Sequence, residues 1–328
     1  MRAATGLALV FGVAVFLTLA VGVRTASLAE IWNALVAFDP TNATHVTIQS
    51  IRLPRLVAGL IAGASLGVAG TVMQALTRNP LADPGLLGVN SGASFAIVLG
   101  ALIFGRSDAG LMSALAFPGA ALASIAVFAL GGGLRGETGH VRLALAGTAL
   151  NALLLSLVSA IVMARSETLE VFRFWVAGSL SQASQRPLSA MALVTIVGIG
   201  LSLALAPRIE ALSLGSALAR GLGTRPARIQ LGALAAVTLM TGTAVSVAGP
   251  IAFLGLMVPP LARRICGHAL RLELIASAML GASILLLADT AGRLVLAPAE
   301  VRVGIMTALI GTPVFIWIAR RLKPGAAS

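Results

Sequence analysis

The chain has 328 residues, of which 58% are hydrophobic and 10% charged, with a mean hydropathy of +0.99. Soluble domains carry roughly 25% charged residues, so this composition excludes a soluble fold and points to a membrane domain over nearly the whole length. The net charge of +12 does not indicate a nucleic-acid surface, because the basic residues are scattered between apolar segments and there is no Tyr and little other aromatic surface on which bases could stack.

In chain order, the first apolar segment runs from Leu7 to Val23 behind Arg2. It has the composition of either a signal peptide or a first span, and its length favours a retained span. A membrane helix takes about 20 largely apolar residues. Apolar runs and their polar breaks then predict ten spans, near 5–23, 54–76, 88–105, 111–130, 143–164, 188–206, 231–248, 251–267, 272–290 and 303–319. With the N-terminus in the cytoplasm, the inner segments hold fourteen basic residues and the outer ones nine. That asymmetry favours both termini inside a bacterial cytoplasmic membrane.

The second span carries Gly59, Gly63 and Gly67 at a spacing of four, with Gly70 nearby, a stripe that lets a neighbouring helix approach closely. Two prolines and two glycines between Arg78 and Gly88 forbid a continuous helix there. Gly249-Pro250 and Pro259-Pro260 are expected to break the later spans in the same way. Irregular backbone at membrane depth is tolerated only where protein or a water-filled cavity surrounds it, so these breaks mark a pathway or its gate. The longest cytoplasmic connection, 207–230, reads as short helices between Glu210 and Gly223, with Leu212, Leu214, Leu218 and Leu222 on an apolar side and Arg220, Arg225 and Arg228 supplying charge. Such a segment either docks into a partner's groove or lies on lipid headgroups.

Several chemistries lack their residues. Lys323 is the only lysine and Pro324 follows it, so the Lys-Ser/Thr pair of a phosphate-binding loop is absent and ATP hydrolysis must reside on another polypeptide. No Ser-His-Asp arrangement has plausible spacing, and the chain is not expected to be an enzyme. Cys266 is the sole cysteine, and His45, His140 and His268 lie far apart, so no metal site is expected. An ion-driven carrier would place ionisable groups deep in the bilayer. Here only Asp289 approaches a span interior, and Arg293 lies four residues on, where the two pair on one helix face.

Arg52-Leu-Pro-Arg55, the Arg78 to Gly88 segment, Leu214-Gly215 through Ala219 to Leu222-Gly223, and Gly249-Pro-Ile-Ala-Phe-Leu-Gly255 with Pro259 together resemble the signatures of one family, in the same order along the chain. Leu285 to Asp289 with Arg293, and Gly311-Thr-Pro313, complete the set. The family is the permeases of type II ATP-binding-cassette importers for iron-siderophores, haem and cobalamin. Thr77 through Val98 and Phe172 to Leu180 look most like its ferric-enterobactin branch, as does Arg302, which follows Glu300 where many relatives have proline. Pro260 departs from the pattern, since the family commonly has histidine there.

The resemblance implies an all-α permease of ten spans forming one domain over 1–328, with spans two to five and seven to ten as inverted halves. It implies a periplasmic binding protein, two ATPase subunits that use ATP and Mg, and a second permease, more readily a related chain than a copy, in the lipid bilayer. No cofactor is expected on this chain. Leu214, Gly215, Ala219, Arg220, Leu222 and Gly223 match the coupling segment that receives ATPase motion. Arg52 and Arg293 match positions that receive acidic residues of the binding protein, with Arg55 and Arg302 adding to the field. Asn79, Pro80 and Leu81 match a cytoplasmic gate, together with the loop from Gly131 to Arg142. The cargo expected is a ferric siderophore, first a catecholate of the enterobactin kind, with haem or cobalamin as alternatives and an ion-driven carrier as the competing class.

Overall fold

A computed structural model of the chain describes residues 2–22, 24–105, 108–132, 140–213, 221 and 225–321. Among these residues the regular structure is entirely helical. The helices are α1 (Arg2–Ala20), α2 (Leu28–Val36), α3 (Ala43–Thr47), α4 (Leu53–Thr77), α5 (Val89–Phe104), α6 (Ala109–Leu130), α7 (His140–Ala164), α8 (Ser166–Val176), α9 (Leu188–Ser213), α10 (Pro226–Ala248), α11 (Leu254–Cys266), α12 (Leu270–Val295) and α13 (Val303–Arg321). Seven stretches are long and apolar enough to cross a membrane, while Ala4–Ala20 and Val89–Phe104 are shorter apolar helices and α11 has 13 residues. Each of the ten predicted spans corresponds to one of these helices.

Helix α4 is the centre of the bundle. In its most apolar window 83% of the residues are buried, against 11% for α7, which leaves α7 on the periphery. The glycine stripe explains the difference. A methyl at Gly63 would meet Gly281 O at 2.5 Å, and methyls at Gly67 and Gly70 would meet the Ser277 and Gly255 carbonyls. The α4 backbone therefore lies directly against α12 and α11, where close van der Waals packing holds helices that gain nothing from the hydrophobic effect in lipid. The register is antiparallel, because Gly59 faces Leu286 and Gly67 faces Ser277.

Two expectations about helix ends are corrected. Pro259 and Pro260 do not break α11, which runs through both. Pro260 lacks the N–H that would bond the Leu256 carbonyl four residues back, and Gln74 Nε2 on α4 donates to that carbonyl instead at 3.2 Å. Likewise α9 continues through Pro207 to Ser213, so Glu210 belongs to the end of a long helix rather than to a separate short one. The break at Gly249-Pro250 is real. Gly249 (φ 74°) and Phe253 (φ 65°) bracket a non-helical stretch between α10 and α11. Its counterpart between α4 and α5 starts at Arg78 (φ 53°) and ends at Gly88 (φ 71°), with one 3-10 turn, Pro84–Leu87, inside it.

Candidate functional site

The bundle has two chemically distinct ends. At the start of α4, a π-helical turn over Ile48–Arg52 joins it to α3, the sort of irregularity that re-aims side chains at functional places. Arg52 and Arg55 are both about 5% exposed as a result. The Arg52 Nη1 donates to Leu19 O at 2.5 Å and Ala20 O at 3.0 Å, and its Nη2 to Arg24 O. From α12, Arg293 donates to Val21 O at 2.6 Å and Thr18 O at 3.2 Å. The last carbonyls of a helix have no intrahelical partner, and here two buried guanidinium groups supply the donors for α1.

Arg55 does something different. It grips Asp289 with two bonds, Nε to Oδ2 at 2.8 Å and Nη2 to Oδ1 at 2.9 Å, and Glu300 with two more at 3.0 and 2.9 Å. Asp289 and Arg293 also pair as the spacing predicted, Nε to Oδ2 at 3.4 Å, but this is the longer contact. The main partner of Asp289 lies 234 residues away in the chain. A bidentate guanidinium-carboxylate pair is the stable way to hold two charges out of water. Arg24, Arg52, Arg55, Arg293 and Glu300 together line a cavity of about 360 Å³ at this end. Arg302 stands apart, half-buried, with its guanidinium 4.5 Å above the Phe174 ring and donating to Phe174 O.

At the opposite end lies the turn that follows α4. Asn79 caps it by accepting from Leu81 N–H at 2.9 Å, and Pro80 follows, which gives the turn both its fixed φ and its side-chain support. Among the described residues the turn is tied to the end of α9 by one hydrogen bond, Arg78 Nη2 to Leu212 O at 2.5 Å. That same end sends the Glu210 carboxylate to accept from Leu270 N–H, at the first residue of α12, at 2.5 Å. Arg263 joins α11 to the cluster by donating to Glu273 at 2.7 Å and to Gln74 at 2.7 Å. The residues expected to couple, Leu214, Gly215, Ala219, Arg220, Leu222 and Gly223, lie outside the described residues, as does most of the loop between Gly131 and Arg142. Both anchors of α9, Leu212 and Glu210, fall within four residues of where the segment expected to couple begins.

Sequence reasoning placed Asn79, Pro80 and Leu81 at this turn and missed Asp83. Its carboxylate accepts from Gly85 N–H at 3.1 Å and faces Gly255, in the first turn of α11. Burial without a paired cation pushes the Asp83 carboxyl up to about 6. The signal that could have found it is the Asp-Pro-Gly order, an aspartate capping a turn inside an otherwise apolar region. Glu210 and Gln74 carried no such signal, because their partners are remote in sequence.

A bundle of apolar helices around a glycine-striped centre, with buried charge at one end and an irregular turn wired to a long helix at the other, defines a multi-pass membrane transport domain. The chain belongs to the FecCD transport family, which matches residues 9–321. It is 44% identical over 327 residues, 99% of this chain and 97% of the relative, to the ferric enterobactin transport system permease protein FepD of Escherichia coli strain K12. It is 39% identical over 311 residues, 94% of this chain and 80% of the relative, to the iron(3+)-hydroxamate import system permease protein FhuB of Bacillus subtilis strain 168. A solved structure described as an inward-facing conformation of a transporter assigned to the metal-chelate type of ABC transporters has a TM-score of 0.83 at 29% identity, covering 97% of this chain and 98% of that one.

Proposed function

We propose that the chain is the permease subunit of an ATP-driven importer that carries a ferric siderophore, of the catecholate kind first, from a binding protein into the cytoplasm. The observation that carries the mechanism is the wiring of α9. Its last turn holds the gate turn through Arg78 and Leu212 O, and holds α12 through Glu210 and Leu270 N–H, immediately before the coupling segment. A push received on 214–223 by an ATPase subunit therefore reaches the gate turn and the partner helix of α4 through two single hydrogen bonds.

In this reading the turn end faces the cytoplasm with both termini, and the arginine end faces the binding protein. The cavity lined by Arg24, Arg52, Arg55 and Arg293 is the place where acidic groups of that protein dock, although most donors of Arg52, Arg55 and Arg293 already serve this chain. The breaks after α4 and after α10 fall at corresponding places in the two sets of spans, which supports inverted halves. ATP and Mg act on the partner ATPase, and this chain binds no cofactor of its own. A second, related permease completes the path, and the exposed α7 offers lipid or that subunit a face.

The test is uptake of labelled ferric siderophores into proteoliposomes that hold this chain, a sister permease, the ATPase and the binding protein. ATP-dependent uptake of a catecholate chelate, reduced by Arg220→Glu and with docking weakened by added salt, is the expected result. Uptake that needs no ATPase but collapses with an uncoupler would overturn the importer, and uptake of haem or cobalamin alone would overturn the cargo.

A further inference from the structure

A second cavity at the arginine end, about 670 Å³, is lined by Met112, Ser113 and Ser246 on α6 and α10, by Glu170, Phe174 and Trp175 on α8, by Ser179, Ser181, Gln182 and Arg186 in the connection to α9, and by Arg302. It has no part in the gate wiring or in the Arg55 pairs. Its volume lies within the range of small-molecule sites, and its walls combine two aromatic rings with a few hydroxyls and charges, as such sites do.

Ser113 and Ser246 bond each other and Ser179 bonds Ser181, so the hydroxyls of this cavity serve the fold and the guanidinium groups hold its spare donors. The Nε of Arg186 is buried without a hydrogen-bond partner, while its Nη1 donates to Val247 O. Buried polar groups are almost always satisfied, so Arg186, which lines the cavity with one N–H unpaired, keeps bonding capacity that the fold does not use. Arg302 lies over the Phe174 ring and donates to the Phe174 carbonyl through Nη1. Among the described lining residues Glu170 is the one carboxylate, against the two guanidinium groups of Arg186 and Arg302. Burial draws Arg186 down to about 10, which still leaves it cationic at neutral pH.

We propose that this cavity is a cargo site at the mouth of the path, where an anionic, oxygen-rich chelate is held by Arg186 and Arg302 against the Trp175 and Phe174 rings. The inference rests on the importer reading and deepens it by naming the charge of the cargo. A ferric ion held by catecholate dianions keeps a net negative charge, whereas one held by the same number of hydroxamate monoanions is neutral. The guanidinium pair therefore favours the first over the second at a step where the binding protein no longer selects. The aromatic walls suit the flat rings of catecholate arms, which stack on such faces.

The experiment uses Trp175 as the reporter. The chain has three tryptophans, so Trp32→Phe and Trp317→Phe leave only the one that lines the cavity. The assembled transporter in nanodiscs of zwitterionic lipid is titrated with a ferric tris-catecholate and with a neutral ferric tris-hydroxamate, and Trp175 emission is followed. Saturable quenching by the catecholate, weakened about tenfold or more by Arg186→Gln with Arg302→Gln, is the expected result, because truncating a charge that grips its ligand in a buried site is costly. Glu170→Gln should tighten binding, by about threefold on the scale of an exposed charge pair, a gain that misfolding cannot mimic.

Equal quenching by the neutral chelate, or no response to any of the three substitutions, would overturn the proposal. Nanodiscs containing anionic lipid separate a headgroup from the cargo, since loss of chelate quenching there would make this a lipid site and sink the proposal too. ATP-driven uptake by the same unsubstituted complex with no Trp175 quenching would discard the site and keep the importer. Quenching without such uptake would do the reverse.

Discussion

The two ends of the bundle hold their charges in opposite ways. At the arginine end, Arg55 makes four bonds to two carboxylates, and Arg52 and Arg293 close the last turn of α1, so that α1, α4, α12 and the segment before α13 are clamped together. At the turn end, among the described residues, α9 is joined to the turn after α4 and to α12 by one hydrogen bond each, and Asp83 is buried with no paired cation. A multiply bonded, desolvated cluster resists rearrangement, whereas single bonds near a buried acid can be exchanged at small cost. The attachment of α9 thus differs from the Arg55 clamp in how many bonds each charge makes, and not in how many charges are present, since Arg263 at the turn end also makes two.

The comparison can be broken most decisively at Arg55. Arg55→Ala should cost about 3–5 kcal/mol of stability, because it leaves Asp289, which is 1% exposed, buried without its main partner. Thermal and denaturant unfolding in detergent would measure it, and a loss below ~1 kcal/mol would mean that the cluster is no clamp. Replacing Arg55 and Asp289 together by apolar residues of similar size should restore much of the loss, as expected when a pair rather than a single ion is removed.

A smaller effect is expected at Asp83, and it has a pH signature. The folded value of about 6 lies above the ordinary 3.8, so the folded chain holds this proton more tightly than the unfolded chain does. The associated stability is complete below about 4 and is lost as pH rises through about 6. Asp83→Asn keeps an acceptor for Gly85 N–H and cannot ionise, so it should be more stable than the parent at pH 7 by about 3 kcal/mol. The two should converge toward pH 4. A difference that does not change with pH would show that Asp83 is not held as a desolvated acid.

The smallest effect on stability, with the largest consequence for function, is expected at Glu210. Glu210→Ala removes one charge-assisted bond at an exposed helix end, where solvent screening leaves it worth about 1 kcal/mol or less. Unfolding should shift little, while ATP-driven uptake falls about tenfold and binding-protein docking is unchanged. Uptake that survives intact would remove α9 from the transmission route and leave the turn end no more mobile than the other.

Much of the fold was legible in the sequence because hydropathy acts locally. Each predicted span reappears as a helix, and the glycine spacing of α4 announced a close contact without saying with what. Prolines misled where a distant side chain could repair the damage, as Gln74 does for the Leu256 carbonyl beside Pro260. The Asp289-Arg293 pair was legible from its spacing of four residues, but the stronger Arg55 pair was not, since no local pattern encodes a contact across 234 residues.

By itself, then, the sequence determined that this is a multi-pass helical membrane protein, where its helices break, and which family signatures it carries. These follow from apolar run length, backbone chemistry and residue order. Only the tertiary structure decided that Arg52 and Arg293 close a helix end, that Asp83 is buried at the start of α11, that α9 holds both the turn and α12, and that Arg186 lines a cavity with its Nε buried and unpaired. Those facts depend on which helices lie against which, and in a bilayer that choice is made by close backbone packing and by the need to pair every buried polar group.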